Sequence, residues 1–448
     1  MPGKRGRRSI SDDTRHRSVF IIPLLAWVFL LAGTCPGCRD SEATRPSRII
    51  FIVVDTLRAD KSAASGAASF TPHMDRLARE GQEFPEARSA FHFTSMSMAS
   101  MFTGLIPSFE SGEDNGSLPA TSETYCGMAR FRTPEDSACL PDQLETLAEA
   151  MREAGYWTLG VVGNPLLFDP YGFSQGFEQW IEVGTIPGGL FRTGSQPHHA
   201  EERAGDRINS AIYAALDQRP SDHFFLYAHY LDVHDWLLRR HGYKHGVEVF
   251  DVFLGELLSD LERRKLLEGS VIILTSDHGE ALGEIHVREP QPLHFGNPSY
   301  DPVLRVPLIV HPAHFEDSSL PIRGRDMKGL ILSLLEPRAR DERIGFASES
   351  ENFFSEQKYQ ILQLGRWKSF WSRDGSHRFL VDLQNNPAET RDVAEAHPEI
   401  LAAHRSRVDE LAGELSADPR SLFRDLSEED RARLRILGYL DGDTSHDD

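Results

Sequence analysis

"FTSMSMASMFTG", residues 93 to 104, sets four hydroxyl side chains, Thr94, Ser95, Ser97 and Ser100, within two turns of a helix-compatible stretch. One could be a nucleophile, but Ser and Thr serve equally as helix N-caps and close-packing residues. Two acids stand in more telling places. The apolar run "RIIFIVV" (48 to 54) leads into Asp55, and "SVIILTS" (270 to 276) leads into Asp277 and His278. A third run, "HFFLYAHY" (223 to 230), ends in "HYLDVHDW", which holds His229 and His234. Carboxylates and hydroxyls suit a hard cation, and a hydroxyl beside one can be activated for attack.

The elements that must carry these residues alternate. Strand-like runs at 48 to 54, 157 to 163, 223 to 230, 270 to 277 and 305 to 310 are interleaved with helical patterns at 74 to 81, 143 to 155 and 247 to 264. Continuous β-branched runs bounded by helices predict buried parallel strands in an α/β sheet, where chemistry gathers at the carboxyl ends. Past residue 345 the texture changes to alternating residues with turn signals at "RDG" and "NNP", which predicts a small antiparallel sheet; 394 to 441 reads as helices covering it.

The chain of 448 residues carries 48 basic and 68 acidic side chains, a net charge of -20, which disfavours nucleic acid and anionic membrane surfaces as partners. An anionic substrate needs a local cation to hold it. The N-terminus departs from this balance: a basic stretch precedes the uncharged run "VFIIPLLAWVFLLAG" (19 to 33), the layout of a signal peptide. Residues 1 to 38 are therefore expected to be a signal peptide or a lipoprotein-type anchor, with Cys35 and Cys38 as candidates for lipid attachment. The protein is expected to be exported, periplasmic, membrane-anchored or secreted, and to touch a membrane only through this segment. Cys126 and Cys139 could then form a disulfide. Neither sits at zinc-ligand spacing.

Asp55 in "VVDTLRAD", then "TPHMDRLAREGQEF", the "TG" and "P" of "MFTGLIP", "TSDHGE", "YDPVLRVPLIVHP" and "EEDRARLRILGYL" come in the order seen in sulfatases of the alkaline-phosphatase superfamily. Over roughly 48 to 441 the chain resembles that family. The resemblance implies an α/β sandwich with a small C-terminal antiparallel sheet and helices, divided into a catalytic domain at 48 to 340 and a second unit at 345 to 441. It also implies hydrolysis of sulfate or phosphate esters at one divalent metal ion, whether calcium, magnesium, manganese or zinc.

Anchored on Thr103 and Gly104, the resemblance puts Thr94 where sulfatases carry the Cys or Ser that becomes formylglycine. A threonine cannot undergo that conversion, so formylglycine is not expected, and the chemistry leans toward a phosphate ester or diester attacked by Thr94. The implied metal ligands are Asp55, Thr94, Asp277 and His278, with Thr56 where the family often has a second Asp. His229, His234 and His294 are the implied catalytic histidines, with His286 a weaker candidate. The family's Lys and His after "EAGYWTLG" are absent, Asn164 stands in that neighbourhood, and Met98 replaces the usual Arg. The ester anion is then expected to rest on the metal, Asn164 and a cation from elsewhere, such as Lys368. A cell-envelope phospho-group transferase and a non-catalytic protein on the same fold are the competing readings.

Overall fold

A strand buried on both faces has no polar side to show, and "RIIFIVV" forms one: β1, Arg48–Val54, is buried along its whole length. The computed structural model describes residues 45–62, 70–107, 140–183, 203–236, 239–287, 300–335, 351–355, 359–372 and 375–416. The N-terminal apolar run, Cys35, Cys38, Cys126, Cys139, His294 and "EEDRARLRILGYL" lie outside them. Among the described residues no helix is long and apolar enough to cross a membrane.

The chain continues through α1 (Pro72–Glu80), β2 (Gln82–Glu83), α2 (Thr94–Thr103), α3 (Leu147–Glu153), β3 (Trp157–Val162), β4 (Gln179–Glu182), α4 (Ala204–Asp217), β5 (Phe224–Tyr230) and α5 (Tyr243–Arg263). β6 (Ser270–Thr275), α6 (Asp301–Leu304), β7 (Leu308–His311) and α7 (Met327–Ser333) complete the first part. Seven strands form one sheet in the order β2-β7-β6-β1-β5-β3-β4. Its centre is parallel, but β7 runs antiparallel to β6 and β2 antiparallel to β7. The "RVPLIV" run was expected among the parallel strands; its apolar pattern reports burial and carries no direction.

The two-residue period of the strand divides the core. Ile49, Phe51 and Val53 face one layer, with Met98, Met101 and Phe102 of α2. Ile50, Ile52 and Val54 face the other, with Phe250, Leu254 and Leu257 of α5. Each fully buried side chain of this size contributes about 1.5–3 kcal/mol. α3 begins at a capping box in which Thr146 and Glu149 satisfy each other's backbone N–H groups.

β8 (Glu351–Ser355), β9 (Tyr359–Leu364), β10 (Trp367–Ser372) and β11 (Arg378–Asp382) form a four-stranded antiparallel sheet. α8 (Pro398–Ser416) packs on it through Leu401, Val408 and Leu411. Lys368 of β10 is fully buried, 2.8 Å from Glu389 Oε2 and 3.8 Å from Asp301 Oδ1. Its charge is committed to these acids, which corrects the expectation that it holds an ester.

Candidate active site

Four neighbouring strands deliver the site at their carboxyl ends. Val53 of β1 pairs with Thr275 of β6 on one side and with His229 of β5 on the other, and His229 pairs in turn with Val162 of β3. Asp55 follows β1, Asp277 and His278 follow β6, and Asn164 follows β3, so the register alone brings these side chains together.

Thr94 is the first residue of α2, whose N-cap is Phe93. Its Oγ1 lies 3.4 Å from His278 Nε2 and 3.4 Å from Asn164 Nδ2. The backbone N–H of Leu166 donates to Asn164 Oδ1 at 2.9 Å, which turns the Asn164 amide nitrogen toward Thr94 and toward Asp55 Oδ2, 2.6 Å away. Two of the other hydroxyls separate by position. Ser97 donates to the Asp277 carbonyl at 2.6 Å and ties α2 to the acidic loop, while Ser100 donates to the Leu105 carbonyl at the far end of the helix. Gly104 closes α2 with φ +80, a left-handed conformation that glycine takes without strain.

The carboxylates share one design. Asp277 Oδ1 accepts the backbone N–H of Thr56 at 3.1 Å and of His278 at 2.8 Å. Asp55 Oδ2 accepts from Asn164 and lies 3.2 Å from His229 Nε2. The remaining oxygens, Asp55 Oδ1 and Asp277 Oδ2, are buried without a hydrogen-bond partner among the described residues, as is Thr56 Oγ1. Thr56 has φ +62, a conformation costing a β-branched residue about 1–3 kcal/mol. The Tyr243 hydroxyl, donating to the Thr56 carbonyl at 2.7 Å, helps hold that turn.

Buried carboxylate oxygens without partners are expensive unless a cation meets them. Burial and the neighbouring Asp55 push the Asp277 carboxyl above its usual range; burial would do the same to Asp55, but the charge of His234 and the hydrogen bond from His229 hold it well below. Among the described residues no lysine or arginine is hydrogen-bonded or ion-paired to Asp55, Thr94, Asp277 or His278. These residues fit a divalent cation. Ligand atoms of Asp55, His229 and Asp277 all lie within 4.8 Å of one another. His278 is also suited: its Nδ1 donates to the Gly279 carbonyl at 2.8 Å, which in the neutral ring puts the lone pair on Nε2, 3.5 Å from Asp277 Oδ2.

The histidines divide. His234 is partly exposed; burial works against its charge, but Asp55, Asp235 and Glu280 outweigh it and hold its pKa up to about 9. His229 was expected to meet the substrate, yet it is wholly buried between Tyr227 and Asp55 and presents no surface to a leaving group. His286 is buried against Tyr300, Phe379 and Glu389, away from the carboxylate pair. Tyr227 carries no signal in the sequence, because an aromatic ring inside an apolar strand looks like any core residue.

The sulfatase family model matches residues 47–316. An N-acetylgalactosamine-6-O-sulfatase of Bacteroides thetaiotaomicron is 23% identical over 85% of this chain and 96% of its own length. The N-acetylgalactosamine-6-sulfatase of Canis lupus familiaris is 27% identical over 57% of this chain; the chain spans 54% of that relative's length. Among solved structures, a 2-O GAG sulfatase superposes with a TM-score of 0.63 at 16% identity, covering 84% of this chain and 94% of that one, which shows a shared fold. With more than half of its length matched by the family model, and with acids and a helix-borne hydroxyl gathered at the ends of the central strands, this chain belongs to the sulfatase family.

Proposed function

We propose that this sulfatase-family hydrolase attacks an anionic ester with the Thr94 hydroxyl, and that the ester is a phosphate monoester or diester. The observation that carries the reading is Thr94 itself, the first residue of α2, facing His278 and Asn164. Its Cβ already bears a methyl group, so oxidation could not give the aldehyde of formylglycine. Without the aldehyde hydrate, a sulfated intermediate has no elimination route, whereas a phosphothreonine can be opened by water.

Asp55, Asp277, His278 and Thr94 would hold the cation, and when bound it supplies positive charge that lowers the pKa of the hydroxyl and offsets the charge of the ester. Asn164 orients Thr94 Oγ1 for attack on phosphorus as its proton passes to solvent. The first N–H groups of α2 have no intrahelical acceptor and suit the non-bridging oxygens. As the ester bond breaks, protonated His234 gives its proton to the leaving oxygen; neutral His234 then takes a proton from the water that opens the phosphothreonine, and Thr94 regains its own from solvent. The basic and apolar N-terminus supports action outside the cytoplasm, which cell fractionation tests.

The names of the sulfatase relatives favour a second reading, a sulfate ester on a sugar. One experiment separates the two: aryl phosphate, aryl phosphodiester and aryl sulfate assayed with a metal series, followed by acid quench and mass analysis. Phosphate turnover with one phosphoryl group on the Thr94 peptide is the expected result. Fast sulfate turnover from unmodified Thr94 would overturn it.

A further inference from the structure

Tyr227 and His229 lie two residues apart on one face of β5, and the Tyr227 hydroxyl is 2.8 Å from His229 Nδ1. Both are wholly buried. The Tyr227 ring packs against Phe51, Phe102, Phe177 and Trp180, and among the described residues its hydroxyl has no other hydrogen-bond partner. A buried O–H left without an acceptor costs about 1–3 kcal/mol. Ionisation offers no escape, because burial, with Asp277 and Asp55 adding to it, pushes the phenol well above its ordinary range. The hydroxyl therefore donates and Nδ1 accepts.

The hydrogen bond at one ring nitrogen fixes the role of the other. With Nδ1 accepting, the imidazole proton sits on Nε2, which faces Asp55 Oδ2 at 3.2 Å. That oxygen also receives the Asn164 amide at 2.6 Å, so two N–H groups occupy Oδ2 while Oδ1 has no hydrogen-bond partner among the described residues. Asp277 shows the same split, with Oδ1 taken by two backbone N–H groups and Oδ2 without a hydrogen-bond partner among the described residues. His278, whose bare Nε2 is set by the Gly279 carbonyl, has the opposite tautomer and the opposite aptitude.

We propose that Tyr227 is a positioning residue: by donating to His229 Nδ1 it makes His229 an N–H donor to Asp55 Oδ2 and not a metal ligand, which presents Asp55 Oδ1 to the cation. The proposal rests on the cation reading given above. It assigns the imidazole of the metal set to His278 alone, although His229 lies as close to the carboxylates.

The test uses the full chain, metal-free and then loaded with Zn²⁺, with ¹⁵N-labelled histidine followed by NMR. His229 should carry its proton on Nε2 in both states; a bare Nε2 in either state would overturn the proposal. Tyr227→Phe should weaken Zn²⁺ binding by about tenfold or more, the usual effect of losing a group that orients a ligand, while circular dichroism and metal-free melting stay close to wild type. Unchanged Zn²⁺ affinity would overturn it. Failure of the wild type to take up Zn²⁺, Mn²⁺, Mg²⁺ or Ca²⁺ would instead overturn the cation reading, and the metal-free spectrum would still decide the Tyr227–His229 hydrogen bond.

Discussion

His278 Nε2 stands 3.4 Å from Thr94 Oγ1, and the other nitrogen of that ring is committed to the Gly279 carbonyl. A carbonyl only accepts, so in the neutral ring the nitrogen turned to Thr94 is the one with the lone pair. Thr94→Ala should therefore fold normally yet lose kcat by about 10⁴-fold or more, as removal of a nucleophile commonly does. Thr94→Ser should keep far more activity. Steady-state kinetics on an aryl phosphate, with circular dichroism as the fold check, decides this.

Asp277→Asn separates the cation from the fold. A ligand present at a hundred times its Kd stabilises the folded state by about 2.7 kcal/mol, so divalent metal should raise the wild-type melting temperature and chelator should reverse the rise. Asp277→Asn should show neither change. In chelator it should melt no lower than wild type, because it removes the carboxylate repulsion between Asp55 and Asp277. Differential scanning calorimetry in both conditions reads the sign.

Ser97 and Ser100 make similar bonds to different purpose. Each donates to a backbone carbonyl at 2.6 Å, so each Ala variant should lose about 1 kcal/mol of stability. Only Ser97→Ala loosens Asp277, and only it should lower metal affinity and kcat. Denaturant midpoints and metal titration on the pair give the comparison.

Lys368→Met should destabilise the protein by about 3–5 kcal/mol, because Glu389 would be left buried without its cation. Adding Glu389→Gln should recover part of that loss. KM on an aryl phosphate, measured where the single variant is folded, should stay near wild type, since the ammonium is engaged between the two sheets and does not reach the ester.

His404 of α8 supplies a pH test far from the metal. It is buried, 2.7 Å from the Ser369 hydroxyl, and burial lowers its pKa from 6.5 to about 4. The unfolded chain takes up the proton first, so His404 favours the folded state above pH 6.5, and that stability is lost as pH falls through 6.5 toward about 4. His404→Gln should flatten this part of the stability curve in equilibrium unfolding between pH 7 and 4.

Much of the scaffold is legible in the sequence because its signals are local. The unbroken apolar runs mark the central strands, and Asp55 and Asp277 are visible as acids that end buried strands. His278 comes with Asp277 as its chain neighbour. Thr94 could be singled out only through the family motif, since four hydroxyls in one short stretch look alike.

Tertiary structure decided the partnerships, because hydrogen bonds across a sheet join residues that no local period relates. Asn164 meets Asp55 across 109 positions of sequence, and Thr56 meets Asp277 across 221. The same register that gathers the acids buries His229 behind Asp55, and packing of β10 commits Lys368 to Glu389. Direction was also decided there: β7 has the composition of a buried strand, but only its pairing with β6 makes it antiparallel. Composition records how dry a position is. Which oxygen is left to face a cation depends on where the competing N–H groups arrive, and those come from other strands.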